Sequence, residues 1–112
     1  MAAPTKSNFA KPDQSSHPTK NMAVDTLALG GHTFHRVTIQ PGWRWTKDLG
    51  PVVGTDTCQM DHLIYLLSGR VVVRADSGEE VEFAAGDLAS IPPGHDGWTV
   101  GDEPAVWIEI PH

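Results

Sequence analysis

Glycine and proline interrupt this chain so often that a long helix has nowhere to form. Eleven glycines and nine prolines fall among 112 residues, and no window between them sustains a 3.6-residue apolar period. The intervals hold short runs rich in Val, Ile, Leu and Thr. Residues 24–29 end at Gly30-Gly31, residues 33–40 stop at Pro41-Gly42, and residues 62–67 lead into Ser68-Gly69. Residues 70–75 return from that turn, and residues 80–83, 88–91, 98–100 and 105–110 complete the set. Residues 43–45 and 52–53 read as two further short extended pieces. Many short strands with regular turn signals predict an all-β sandwich or barrel. In the last run Val106, Ile108 and Ile110 alternate onto one predicted buried face, with Trp107 between them.

The length suits one domain. Residues 1–22 are rich in Pro, Ser, Thr, Lys and Asn, and Phe9 is their only large anchor. So little apolar surface predicts a flexible N-terminal arm, followed by a β domain over residues 23–112. The net charge of −6, with scattered Lys and Arg, argues against a nucleic-acid partner. No apolar run is long enough for a membrane helix, so no membrane partner is expected. Cys58 is the single cysteine and cannot form an internal disulfide. That fits a reducing compartment, and with no apolar leader at the N-terminus the expectation is a cytoplasmic protein.

Two glycine-punctuated segments then stand out. His62 precedes Gly69 by an interval of six residues, with Tyr65-Leu66-Leu67-Ser68 leading into the turn. Gly86 precedes Pro92-Pro93-Gly94 by five residues, and His95 follows at once. These segments resemble the two signature motifs of the cupins, and the resemblance extends over residues 41–110. Pro41-Gly42-Trp43-Arg44-Trp45, with Gly54-Thr55, Cys58 and Gly94-His95-Asp96, resembles a subgroup of small single-domain bacterial cupins. The resemblance implies a cupin-type double-stranded β-helix, a jelly-roll barrel, and a homodimer that covers its edge strands.

The family's usual metal site is three histidines and a glutamate, and this chain departs from it. Aligned on Gly69, the glutamate position holds His62, and the paired histidines fall on Cys58 and Asp56. The closing histidine of the second motif falls on Gly97, and His95 sits two positions earlier. The predicted metal ligands are therefore His62, His95, Cys58 and Asp56. A thiolate with imidazoles suits a divalent transition metal, zinc foremost, with iron or copper as alternatives, and no organic cofactor is expected. Four residues along a straight strand span about 13 Å, so Cys58 and His62 can share one ion only if residues 59–61 turn the chain. Without such a turn, Cys58 is a buried small hydrophobe and His62 a core histidine, while His95 braces the proline turn or pairs with Asp96 or Asp102.

Trp43, Trp45, Tyr65, Trp98 and His35 are the predicted pocket walls. His35 shares strand parity with Val37 and Ile39, and Arg44 alternates outward as a rim cation or ion-pair partner. The fold class does not select a reaction. A metal-dependent enzyme acting on a small organic substrate, a non-catalytic small-ligand binding or sensing protein, and a structural barrel that has lost its site all remain open.

Overall fold

Strands account for most of the chain because their runs are short, β-branched and closed by turn residues. The computed structural model describes residues 3–112. In chain order the strands are β1 (Gln14–Thr19), β2 (Met22–Leu29), β3 (His32–Ile39), β4 (His62–Ser68) and β5 (Arg70–Ala75). They continue as β6 (Glu80–Ala84), β7 (Leu88–Ile91), β8 (His95–Thr99) and β9 (Ala105–Glu109). All pairings are antiparallel. One sheet has the order β1-β2-β3-β9-β4-β7 and the other β6-β5-β8. The two sheets form the expected cupin-type jelly roll without closing into a continuous barrel.

Three sequence expectations are corrected. Residues 14–22 are not arm. Gln14–Thr19 pairs with β2 from Gln14↔Thr26 to Thr19↔Met22, because the backbone can satisfy an edge ladder without burying its own side chains. Met1 and Ala2 lie outside the described residues. Residues 52–53 are not extended: Gly50–Val53 forms a single helical turn, α1, that continues a π-helical turn at Trp45–Leu49. Pro51 sits at the start of that turn, where its fixed φ suits a helix. Val52 and Val53 both remain exposed, so no burial draws them into a sheet.

The third correction concerns β9. Ala105 is fully buried, and Trp107 and Glu109 face the interior. The inward parity is therefore 105, 107 and 109, opposite to the predicted Val106–Ile108 face. Register imposes this. Trp107 pairs with Val37 on one side and Leu66 on the other, and both partners are buried. Side chains of directly paired residues share a face of the sheet.

The larger core cluster joins both sheets through Val37, Ile39, Trp43, Trp45, Leu66, Val71 and Ala105. A second cluster of Ile64, Ala89 and Ile91 packs where β4 meets β7. Together they form the floor and walls of one cavity between the sheets.

Candidate metal centre

A cavity of about 460 Å³ opens between the sheets. Residues from β2, β3, β4, β5, β7, β8 and β9 line it, together with Trp43, Trp45, Leu49 and residues 58, 60, 61 and 110–112. Its size is in the range of small-molecule sites. On β3, β4 and β9 the inward parity brings His35, His62 and Glu109 to it. On β8 it brings His95 and Gly97.

Cys58 arrives from the loop before β4. An isolated bridge with His95 fixes it: Cys58 N–H donates to the His95 carbonyl at 2.8 Å, and Gly94 N–H donates to the Cys58 carbonyl at 2.7 Å. The chain then turns through residues 59–61 and enters β4 at His62. As a result the Cys58 Sγ lies 3.6 Å from His62 Nε2. The ring centroids of His62 and His95 are 5.4 Å apart. One ligand atom from each of Cys58, His62 and His95 lies within 4.8 Å of the other two.

Both imidazoles are held by their far nitrogen. His62 Nδ1–H donates to Glu109 Oε1 at 2.7 Å, and His95 Nδ1–H donates to the Pro92 carbonyl at 2.9 Å. In the neutral ring these bonds place the proton on Nδ1 and leave Nε2 as the acceptor, the usual arrangement behind a metal-ligating histidine. Trp107 Nε1–H also reaches Glu109 Oε1, at 3.3 Å, so β9 positions the carboxylate that positions His62.

The donor set of one thiol and two imidazoles could hold a metal ion. With Zn–S near 2.3 Å and Zn–N near 2.0–2.1 Å, the S···N edge of a tetrahedral site is about 3.5 Å. The 3.6 Å separation of Cys58 Sγ and His62 Nε2 matches that edge. A metal held by these three side chains would keep one position open, as in catalytic zinc sites.

Without a metal the same contacts polarise the cluster. Burial pushes the Cys58 thiol up, but hydrogen bonds from His62 and His95 outweigh it and bring it down to about 6. Burial pushes His62 down, but its bonds to Cys58 and Glu109 outweigh that and lift it to about 10. The two shifts run in opposite directions, so the contact favours charge on both the sulfur and the ring.

The other expected site residues divide. Trp43, Trp45 and His35 line the cavity, and His35 Nδ1 is hydrogen-bonded with Thr26 Oγ1 at 3.0 Å. Tyr65 does not. It lies on the outer face of β4, paired with Leu88, because β4 turns His62, Ile64 and Leu66 inward. Trp98 is also outside the lining: its ring carries the Arg44 guanidinium, 4.7 Å above the centroid. Asp56 is exposed in a shallow surface depression with Thr46 and Thr55. The chain bends at Asp56 and Thr57, so two-residue parity does not carry Asp56 to the side of Cys58.

Asp96 does not pair with His95 either. It is buried and takes Arg44 at 2.7 Å, with Thr46 N–H and Oγ1–H also donating to it. Arg44 is therefore the ion-pair partner its outward parity allowed. Sequence reasoning missed Glu109 and Trp107. The available signal was a carboxylate inside an otherwise apolar strand.

Two antiparallel sheets enclosing a cavity, with a metal-competent cluster at its wall, define a jelly roll of the cupin class. A profile of the EutQ-like cupin domain matches residues 38–106, more than half of the chain, and the chain belongs to that family. None of the curated proteins matches it in sequence. Solved structures share the fold. The polyketide cyclase RemF from Streptomyces resistomycificus superposes with a TM-score of 0.68 at 16% identity, over 96% of this chain and 78% of that one. A cupin sugar phosphate isomerase from Silicibacter pomeroyi gives 0.65 at 18%, over 94% and 73%. A protein of unknown function from Acidithiobacillus ferrooxidans gives 0.65 at 17%, over 88% and 87%. Among the described residues no helix is long and apolar enough to cross a membrane.

Proposed function

We propose that this cupin holds a divalent transition metal, zinc foremost, on Cys58, His62 and His95, and acts as an enzyme on a small organic molecule in the adjoining cavity. The observation that carries the reading is the convergence of one thiolate and two imidazoles whose outer nitrogens are already engaged. When bound, the metal supplies Lewis-acid polarisation of a ligand oxygen at its open position. Glu109 holds His62 in the ligating tautomer, and the Pro92 carbonyl does the same for His95. Trp43, Trp45 and Trp107 form apolar walls that exclude water and orient the substrate.

Metal analysis of protein purified without an affinity tag tests this directly. The expected result is about one zinc per chain in the wild type and a loss of zinc in His62→Ala. If the wild type takes up no metal, the metalloenzyme reading fails and a non-catalytic ligand-binding role replaces it. If His62→Ala binds zinc as the wild type does, the ligand assignment is wrong.

The reading extends to assembly and location. β1 and β7 are edge strands of the larger sheet, and Tyr65, Leu67 and Leu88 are exposed apolar residues. These features support a homodimer that covers them, measurable by sedimentation equilibrium. The single buried thiol is consistent with a cytoplasmic setting.

A further inference from the structure

All eight Lys and Arg of the chain lie among the described residues, and none of them lines the cavity. Several are engaged elsewhere. Arg36 pairs with Asp25, Arg44 with Asp96, Lys47 with Asp48 and Arg70 with Glu82. Sites that select carboxylates or phosphates present guanidinium or ammonium groups to them. This cavity presents three indoles instead, with aliphatic side chains from β2, β4, β5 and β7.

The charges of the centre itself reinforce the point. A zinc ion brings +2, and the Cys58 thiolate and the Glu109 carboxylate bring −1 each, so the formal charges cancel. Asp61 and His112 both lie in the lining and pair with each other at 3.4 Å, so a charged His112 is offset by its partner carboxylate. An incoming anion would lose its hydration against apolar walls, and no Lys or Arg on those walls would replace it.

We infer that the cavity selects an uncharged, ring-bearing apolar molecule with a single oxygen directed at the Cys58–His62–His95 centre, and discriminates against carboxylates and phosphates. The inference deepens the function proposed above and rests on it for the position of that oxygen. The walls carry no Lys or Arg whether or not a metal is bound, so the discrimination by charge is expected of the metal-free protein too.

Calorimetric titration with 2-naphthol, 2-naphthoate and 2-naphthyl phosphate at neutral pH separates these points, because the ring is constant and only the charge changes. The wild type, zinc-loaded and zinc-free, is expected to bind naphthol at least roughly tenfold tighter than either anion. Equal or tighter binding of an anion, or no binding of naphthol to either form, overturns the inference. Failure to take up zinc sinks the metal reading but leaves the charge order to be read in the zinc-free protein.

Thr33 lines the cavity and is exposed, so Thr33→Arg places a guanidinium there without disturbing the core. That variant is expected to shift the naphthoate-to-naphthol affinity ratio roughly tenfold toward naphthoate relative to the wild type. An unchanged ratio would mean that the lack of a cation is not what excludes anions.

Discussion

His62 and Glu109 are joined by a 2.7 Å hydrogen bond between neighbouring strands, and that bond decides which ring nitrogen faces Cys58. With Nδ1 committed to the carboxylate, Nε2 is the atom left for a ligand. Glu109→Gln keeps an acceptor at the same place but removes the charge that raises the basicity of the ring. Zinc affinity should fall by about 10- to 100-fold, as measured by competition with a chromophoric chelator. Zinc affinity equal to that of the wild type would show that Glu109 has no part in the centre.

In the metal-free protein, thiolate absorbance at Cys58 should appear as pH rises through about 6. A free cysteine titrates near 8.5. Burial pushes the thiol up, and the sign follows from the side-chain hydrogen bonds with His62 and His95 that outweigh it and favour the charged sulfur over the neutral thiol. His62→Ala removes one of these bonds and should move the transition upward. A wild-type transition at the free-cysteine value would mean that the Cys58–His62 contact does not form in solution.

Gly69 and Gly86 close corresponding turns but should differ in what a methyl group costs. Both adopt positive φ, at 78° and 96°. At Gly69 an added Cβ would come within 2.3 Å of the Pro104 carbonyl oxygen and 2.6 Å of Ala105 Cα, whereas at Gly86 it meets nothing within 4 Å. Gly86→Ala should cost about 1–2 kcal/mol from backbone strain alone. Gly69→Ala should cost about 3 kcal/mol or more, because the backbone entering β9 must move as well. Urea unfolding of the two variants gives the comparison, and equal losses would remove the crossing segment from the explanation.

Arg44→Ala should destabilise the protein by about 2–3 kcal/mol, because it leaves the Asp96 carboxylate buried without its cation. Part of the guanidinium is solvent-accessible, so the cost should fall short of that for a fully buried pair. Arg44→Lys should recover only part of the loss, since an ammonium cannot stack on Trp98 and fork onto the carboxylate together. A stability change under about 0.5 kcal/mol in Arg44→Ala, read by thermal and urea unfolding, would refute the account.

Much of the fold was legible because turns and strands are local. Gly30-Gly31, Pro41-Gly42, Ser68-Gly69 and Pro92-Pro93-Gly94 mark real strand ends, and the parity of His35 with Val37 and Ile39 holds in β3. Two misreadings had a physical cause in common. β1 is held by a backbone ladder to β2 that leaves little trace in side-chain pattern. The face of β9 is chosen by its neighbours Val37 and Leu66, since Val106, Ile108 and Ile110 formed as good an apolar face on paper.

The site divides along the same line. Residue chemistry alone singled out Cys58, His62 and His95 as ligand types, and a punctuated run of β-branched residues alone implied strands around a pocket. Whether the three side chains meet depends on the turn at residues 59–61 and on the backbone bridge between Cys58 and His95, partners 37 positions apart in the chain. The exclusion of Asp56, Tyr65 and Trp98 and the recruitment of Glu109 likewise follow from bends and register. Period and turn chemistry are carried by adjacent residues, but convergence is a property of how distant strands pair and which face each one turns inward.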